Sequence, residues 1–211
     1  MPPAVASSKS RNFGPDNRSI VEPNDIVKAR LMDADDLSRM LDRMARQIVE
    51  FLDPVGDESA IALVGLQTRG VHLARRLRER IARFESIEMP LGVLDATMYR
   101  DDFRMRRSQP PVRETDVPFD VTGRHIMLVD DVLFTGRTIR AALDALMDMG
   151  RPGSVRCVIL IDRGHHELPI HADILGRVVP TMPGEEVRVR LEEIDEQDGV
   201  WLVEHQADET P

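Results

Sequence analysis

Ile126-Met127-Leu128-Val129-Asp130-Asp131-Val132-Leu133-Phe134-Thr135-Gly136-Arg137-Thr138 runs from an apolar stretch through two adjacent carboxylates into a Thr-Gly-Arg-Thr turn. A short, wholly apolar run reads as a strand buried on both faces, the kind found in parallel sheets covered by helices. Such a strand delivers Asp130 and Asp131 to its carboxyl end, where open α/β sheets bind their ligands. The turn then opens a helix with Ile139, Ala142, Leu143 and Leu146 inward. Its free N–H groups and positive dipole end suit a phosphate monoester, and both threonine hydroxyls can donate to the same oxygens. Gly136 lets the backbone come close. Two acids beside that cradle would repel a bare polyphosphate. They suit a sugar whose vicinal hydroxyls donate to carboxylates. Taken singly, an Asp-Asp strand end or a threonine helix cap is only structural; the ordered combination carries the reading.

Working outward, Ala60–Leu66 is a second buried strand, broken at Gln67-Thr68-Arg69-Gly70 before a helix with Val71, Ala74, Leu77 and Ile81 on one side. An arginine between small residues at such a break can hold pyrophosphate through its planar fork and nearby amides. Upstream, Leu37, Met40, Leu41, Met44, Ile48 and Phe51 fall at helical spacing, with Asp33 as N-cap. A strand is expected around Leu91 to Tyr99. Arg100 to Asp120 is polar, carries both signs of charge and contains Pro110, Pro111 and Pro118. A connection of that length inside a compact domain is disordered or functional, and its place after a sheet strand favours a lid over the site. Gly150 and Pro152 end the helix that follows the donor motif, and Val155–Ile161 is another apolar strand. The alternation predicts an α/β fold with a central, mainly parallel sheet flanked by helices. Val187, Val189 and Leu191 alternate with charged residues, and Gly199 opens Val200–Val203, which predicts an added C-terminal antiparallel hairpin. Residues 1–27 and 206–211 read as tails around one domain, residues 28–205.

Composition narrows the function. Lysine occurs only at Lys9 and Lys28, so the core can hold neither a Schiff-base lysine nor a phosphate loop ending in Gly-Lys-Ser/Thr. A net charge of -9 argues against a surface that grips nucleic acid everywhere, leaving room for a local arginine face. The single cysteine, Cys157, excludes an intrachain disulfide and a multi-cysteine zinc site. No apolar run approaches the roughly 20 residues of a membrane span, and the opening residues lack a secretory pattern. A cytoplasmic protein is expected. His165, His166 and His171 have no fixed ligand register, so no protein metal site is expected.

The stretch 126–138 resembles the phosphoribosyl-pyrophosphate motif of type I phosphoribosyltransferases. The resemblance extends to the pyrimidine operon regulatory protein/uracil phosphoribosyltransferase family through Gly65–Gly70, Tyr99-Arg100-Asp101-Asp102 and Asp162-Arg163-Gly164-His165-His166-Glu167-Leu168-Pro169-Ile170, and covers roughly Asp33 to His205. It implies a type I phosphoribosyltransferase fold with a small hood. It implies catalysis at Asp130 and Asp131, which bind the ribose 2- and 3-hydroxyls, and a 5-phosphate held by Thr135, Gly136, Arg137 and Thr138. Thr68, Arg69 and Gly70 match the pyrophosphate loop, and Arg100, Asp101 and Asp102 the start of the lid. Residues 162–180 match the hood, with Asp162 and Arg163 toward the base. The implied reaction makes UMP and pyrophosphate from uracil and 5-phosphoribosyl 1-pyrophosphate. Magnesium is implied as a complex with the donor's pyrophosphate, outside any protein cage. Homodimers or larger assemblies are implied as well.

Members of that family also bind the leader RNA of pyrimidine operons and attenuate transcription in response to UMP or UTP. Arg39, Arg43 and Arg46, on near-successive turns of the first helix, together with His165, His166 and His171, are the residues expected on an RNA face. The sequence departs from the RNA-binding pattern here: the hood carries His166 and His171 where arginine is usual, and Asp42 lies among the arginines. Both changes lower positive charge at neutral pH. Two alternatives share the donor site: a regulator with vestigial catalysis, and a transferase for a purine base or orotate.

Overall fold

The computed structural model describes residues 25–51, 60–101 and 114–205. Five parallel strands form the main sheet in the order β3-β2-β4-β5-β6: β2 (Ile61–Leu66), β3 (Leu91–Leu94), β4 (His125–Leu133), β5 (Ser154–Asp162) and β6 (Ile174–Val178). All six residues of β2 are buried, the consequence of covering a sheet on both faces. Helices α1 (Ala34–Glu50) and α2 (Arg69–Glu85) pack on one face through Leu37, Leu41, Leu73 and Leu77. Helix α3 (Arg137–Met149) covers the other through Ile139, Ala142 and Leu146, while Leu143 is only partly buried there.

Asp33 caps α1 as expected: its side chain accepts the amide of Asp36 at 2.8 Å, and Asp36 reaches back to the amide of Asp33 at 3.3 Å. A reciprocal cap of this kind stabilises a helix start by about 1 kcal/mol.

The C-terminal hairpin is part of a three-stranded antiparallel sheet, β1-β8-β7, made of β1 (Asp25–Met32), β7 (Glu185–Arg190) and β8 (Gly199–His205), with the short helix α4 (Glu192–Asp195) between β7 and β8. Strand β1 begins at Asp25, inside the stretch read as tail. Its Asp-Ile-Val-Lys-Ala-Arg alternation is too polar to announce a strand without its partner β8. Two further boundaries move. Strand β3 ends at Leu94, because the Asp95 carboxylate accepts the amide of Thr97 at 2.8 Å and turns the chain into a 3-10 helix over Thr97–Tyr99. Residues 162–180, read as hood, contain β6, which adds to the main sheet beside β5. Of the expected lid, residues 102–113 lie outside the described residues; its returning limb pairs with β3 through Asp116 and Val93.

Candidate active site

Strands β2 and β4 are neighbours, but their connections diverge: β2 leads through α2 to β3, and β4 leads through α3 to β5 on the other side. That divergence opens a crevice at the carboxyl ends of β2 and β4, the usual ligand position in such sheets. The Thr68–Gly70 turn and the Asp130-Asp131 pair both stand there. Gly70 makes the approach possible, since a Cβ on it would sit 2.4 Å from the Val129 carbonyl oxygen and 3.2 Å from the Asp130 Cα. Only a hydrogen fits between the loop and the end of β4.

Asp130 is 7% exposed, and its Oδ1 accepts the amide of Asp131 at 2.9 Å. Burial raises its carboxyl well above the usual carboxylate range, and the neighbouring Asp131 charge adds to that. Burial raises Asp131 as well, against an opposing pull from the Arg69 guanidinium. The pair therefore costs free energy to hold charged, and it gains most from hydroxyl or cationic partners.

Gly136 takes φ +88° as the N-cap of α3, a left-handed conformation that side-chain-bearing residues rarely adopt. The amide of Arg137, the first residue of α3, donates to the Thr135 hydroxyl at 3.4 Å. Arg100 is brought to this cradle, donating from Nη1 to the Thr138 hydroxyl at 2.7 Å. Arg137 goes elsewhere: its Nε donates to Glu167 at 2.8 Å, and it pairs with Asp101. It thus ties the start of the lid to the hood at the edge of the cradle.

Beside Asp131 a cavity of about 550 Å³ opens between the two sheets, lined by Arg69, Phe134 and Arg163 on one side and by Glu186, Arg188, Arg190 and His205 on the other. Arg163 lies over the Phe134 ring at 4.1 Å, and its Nε donates to Thr181 at 3.2 Å. Asp162 points into its own turn, accepting from the Gly164 amide and pairing with the His166 Nε2, both at 2.9 Å. Burial pushes the Cys157 thiol up to about 11, which leaves it a packing residue.

Of the residues expected on an RNA face, Arg39, Arg43 and Arg46 are all exposed, and each also makes a contact within the chain. Arg39 pairs with Asp36 at 2.7 Å. Arg43 donates to the carbonyls of Leu175 at 2.8 Å and Gly176 at 2.6 Å, so it fastens α1 to β6. Arg46 covers the Phe84 ring at 4.6 Å. His165 pairs with the Thr181 carbonyl at 2.7 Å, while His166 meets the His171 ring edge-on at 5.7 Å.

Sequence reasoning missed the residues that the antiparallel sheet contributes. Glu186, Arg188 and Arg190 alternate with Val187 and Val189, which reads as a solvated strand face; in the fold that face looks into the cavity. Asp195 gave no sequence signal at all, yet both its oxygens hold Arg69, at 2.8 and 3.2 Å. Among the described residues no cluster of three or more His, Cys, Asp or Glu could hold a metal ion, and no helix is long and apolar enough to cross a membrane.

A carboxylate pair, a Thr-Gly-Arg-Thr turn and an arginine loop meet at one switch point. The chain belongs to the phosphoribosyl transferase family, whose domain model matches residues 31–193. It is 54% identical over 179 residues to the bifunctional protein PyrR of Thermus thermophilus, covering 85% of this chain and 97% of that protein. It is 51% identical over 177 residues to the bifunctional protein PyrR of Pelotomaculum thermopropionicum, covering 84% and 96%. Among solved structures, a ternary substrate complex of the hypoxanthine phosphoribosyltransferase from Trypanosoma cruzi superposes with a TM-score of 0.67 at 16% identity, over 86% of this chain and 97% of that one. The fold is that of a type I phosphoribosyltransferase, as the sequence resemblance implied.

Proposed function

We propose that this chain transfers the 5-phosphoribosyl group from 5-phosphoribosyl 1-pyrophosphate to uracil, releasing pyrophosphate and UMP. The observation that carries the reading is the meeting of Asp130-Asp131, the Gly136 turn and Arg69 at the β2/β4 switch point. Asp130 and Asp131 accept from the ribose 2- and 3-hydroxyls, which compensates part of the cost of their burial. The amides after Gly136 and the Thr135 and Thr138 hydroxyls hold the 5-phosphate, with Arg100 at the rim. Arg69 faces the pyrophosphate. As the bond from the sugar's C1 to pyrophosphate breaks, positive charge develops on the ribose ring, and the adjacent carboxylates stabilise it. The uracil nitrogen then bonds to C1, and its proton passes to Asp131, whose raised pKa makes it a competent acceptor. The paired carboxylates fit Mg²⁺ arriving on the donor's pyrophosphate, since the ion takes few carboxylate ligands and rides on substrate phosphates. Bound there, the ion would neutralise the leaving group. Uracil belongs on the cavity side, between the Phe134 edge and the hood that starts at Asp162 and Arg163.

Titration of the protein with uracil, orotate and hypoxanthine in the presence of donor and Mg²⁺, following pyrophosphate, tests this. Release with uracil alone is expected; release with hypoxanthine or orotate instead would reassign the base.

A second activity, UMP-dependent binding of pyrimidine leader RNA, is supported by the word bifunctional in the names of relatives at 54% and 51% identity. Filter binding of the leader RNA with and without UMP tests it. A nucleotide effect with a salt slope of roughly 0.7 per phosphate neutralised is expected; indifference to UMP and to RNA sequence would retire it.

A further inference from the structure

Arg69 and Asp195 come from opposite ends of the domain, 126 residues apart, and meet in a bidentate pair. The Asp195 side chain is 4% exposed and that of Arg69 is 30% exposed. Each Asp195 oxygen serves two donors. Oδ1 accepts from Arg69 Nη2 at 2.8 Å and from Arg190 Nη1 at 2.6 Å; Oδ2 accepts from Arg69 Nε at 3.2 Å and from the Leu191 amide at 3.0 Å. Burial opposes ionisation of this carboxyl, but the hydrogen bonds from Arg69, the Leu191 amide and Arg190 outweigh it and hold the group below its usual range. Asp195 is therefore a saturated, ionised anchor. It holds Nε and Nη2 of Arg69, which also lines the cavity with Asp131.

A second tie joins the same two elements. One α-helical face along from Arg69, Arg76 donates to Glu193 at 2.7 Å and to Asp198 at 2.8 Å, on either side of Asp195 in sequence. The α4 segment is thus tied to α2 through Arg76 as well, independently of the Arg69–Asp195 pair.

We propose that Asp195 is the positioning residue for Arg69 in pyrophosphate binding, so that α4 of the antiparallel sheet sets the grip of the donor site in the parallel one. This rests on the reading that Arg69 holds the donor's pyrophosphate. The physical reason is pre-organisation: an unrestrained arginine loses rotamer freedom on binding, whereas one already clipped to a buried carboxylate does not.

Calorimetric titration with 5-phosphoribosyl 1-pyrophosphate and Mg²⁺, paired with steady-state kinetics, tests the proposal. Asp195→Asn keeps the shape and the Leu191 contact but removes the charge. It is expected to weaken donor binding about 10-fold, with KM for donor rising alike and KM for uracil unmoved. Asp198→Asn, which loosens the same segment without touching Arg69, should lower the melting temperature and leave donor affinity unchanged. That contrast separates positioning from simple tethering. Arg69→Lys supplies a second route if Asp195→Asn fails to fold: an ammonium can meet the carboxylate or the pyrophosphate but cannot bridge both, so the same donor-specific loss is expected. Wild-type donor affinity in Asp195→Asn, with Arg69→Ala impaired, would overturn the positioning role and leave the proposed reaction standing. Wild-type affinity in Arg69→Ala would overturn both the positioning role and the assignment of Arg69 to pyrophosphate.

Discussion

The two sheets of this molecule are built on different principles. The parallel sheet is apolar on both faces: Leu63, Val64, Leu128 and Ile159 are fully buried between helices. The antiparallel sheet gives Val187, Val189 and Val200 to the main core on one face and, on the other, only the small cluster of Trp201, Val203 and Val27. Its other face carries Glu186, Arg188 and Arg190 to the cavity, and its α4 segment meets α2 through ion pairs. Hydrophobic burial makes the platform that aims Asp130 and Asp131, while charge pairing sets the side chains that face them. The first is large and nondirectional; the second is smaller, directional and sensitive to salt and pH.

The largest expected effect lies in the platform. Leu128→Ala, at the centre of β4 and fully buried, should cost about 2–5 kcal/mol in urea unfolding. That loss should be indifferent to salt. Arg76→Gln breaks the other kind of contact and leaves Glu193 and Asp198 facing each other. It should cost about 1–3 kcal/mol, and the gap to wild type should shrink in high salt as the stranded carboxylates are screened. If both variants respond to salt alike, the contrast between the sheets is wrong.

The smallest of the three concerns Asp130. Burial raises its folded-state pKa above the unfolded value, so the folded protein binds more protons and loses stability as pH climbs through the folded pKa. Asp130→Asn removes that penalty and its Oδ1 can still accept the Asp131 amide. Thermal melts should show it more stable than wild type by about 1–2 kcal/mol at pH 8, with the gain fading toward pH 4 and activity reduced. A destabilised variant at pH 8 would mean that Asp130 is compensated within the fold.

The contrast also explains what could be read from sequence. Continuous apolar runs announce β2, β4 and β5 because doubly buried strands admit nothing else. The donor motif was legible because its carboxylates, glycine and threonines lie within one strand-turn-helix segment. Partners joined across the fold left no such trace. Arg76 meets Glu193 117 residues later, and Arg43, itself exposed, reaches the β6 carbonyls of Leu175 and Gly176. Strands β1 and β6 lack a continuous apolar run, and each depends on a neighbour that only the fold supplies.

The central claim is that the buried pair at the end of β4 holds the ribosyl donor. The most direct measurement is kcat/KM of Asp131→Asn against wild type with uracil, donor and Mg²⁺, alongside a circular dichroism melt to certify the fold. Losing a charge-assisted contact to the ribose should lower kcat/KM roughly 10- to 100-fold, equivalent to about 1.5–3 kcal/mol, in a protein that melts cooperatively. A folded Asp131→Asn with wild-type kcat/KM would contradict the account and move the donor away from β4.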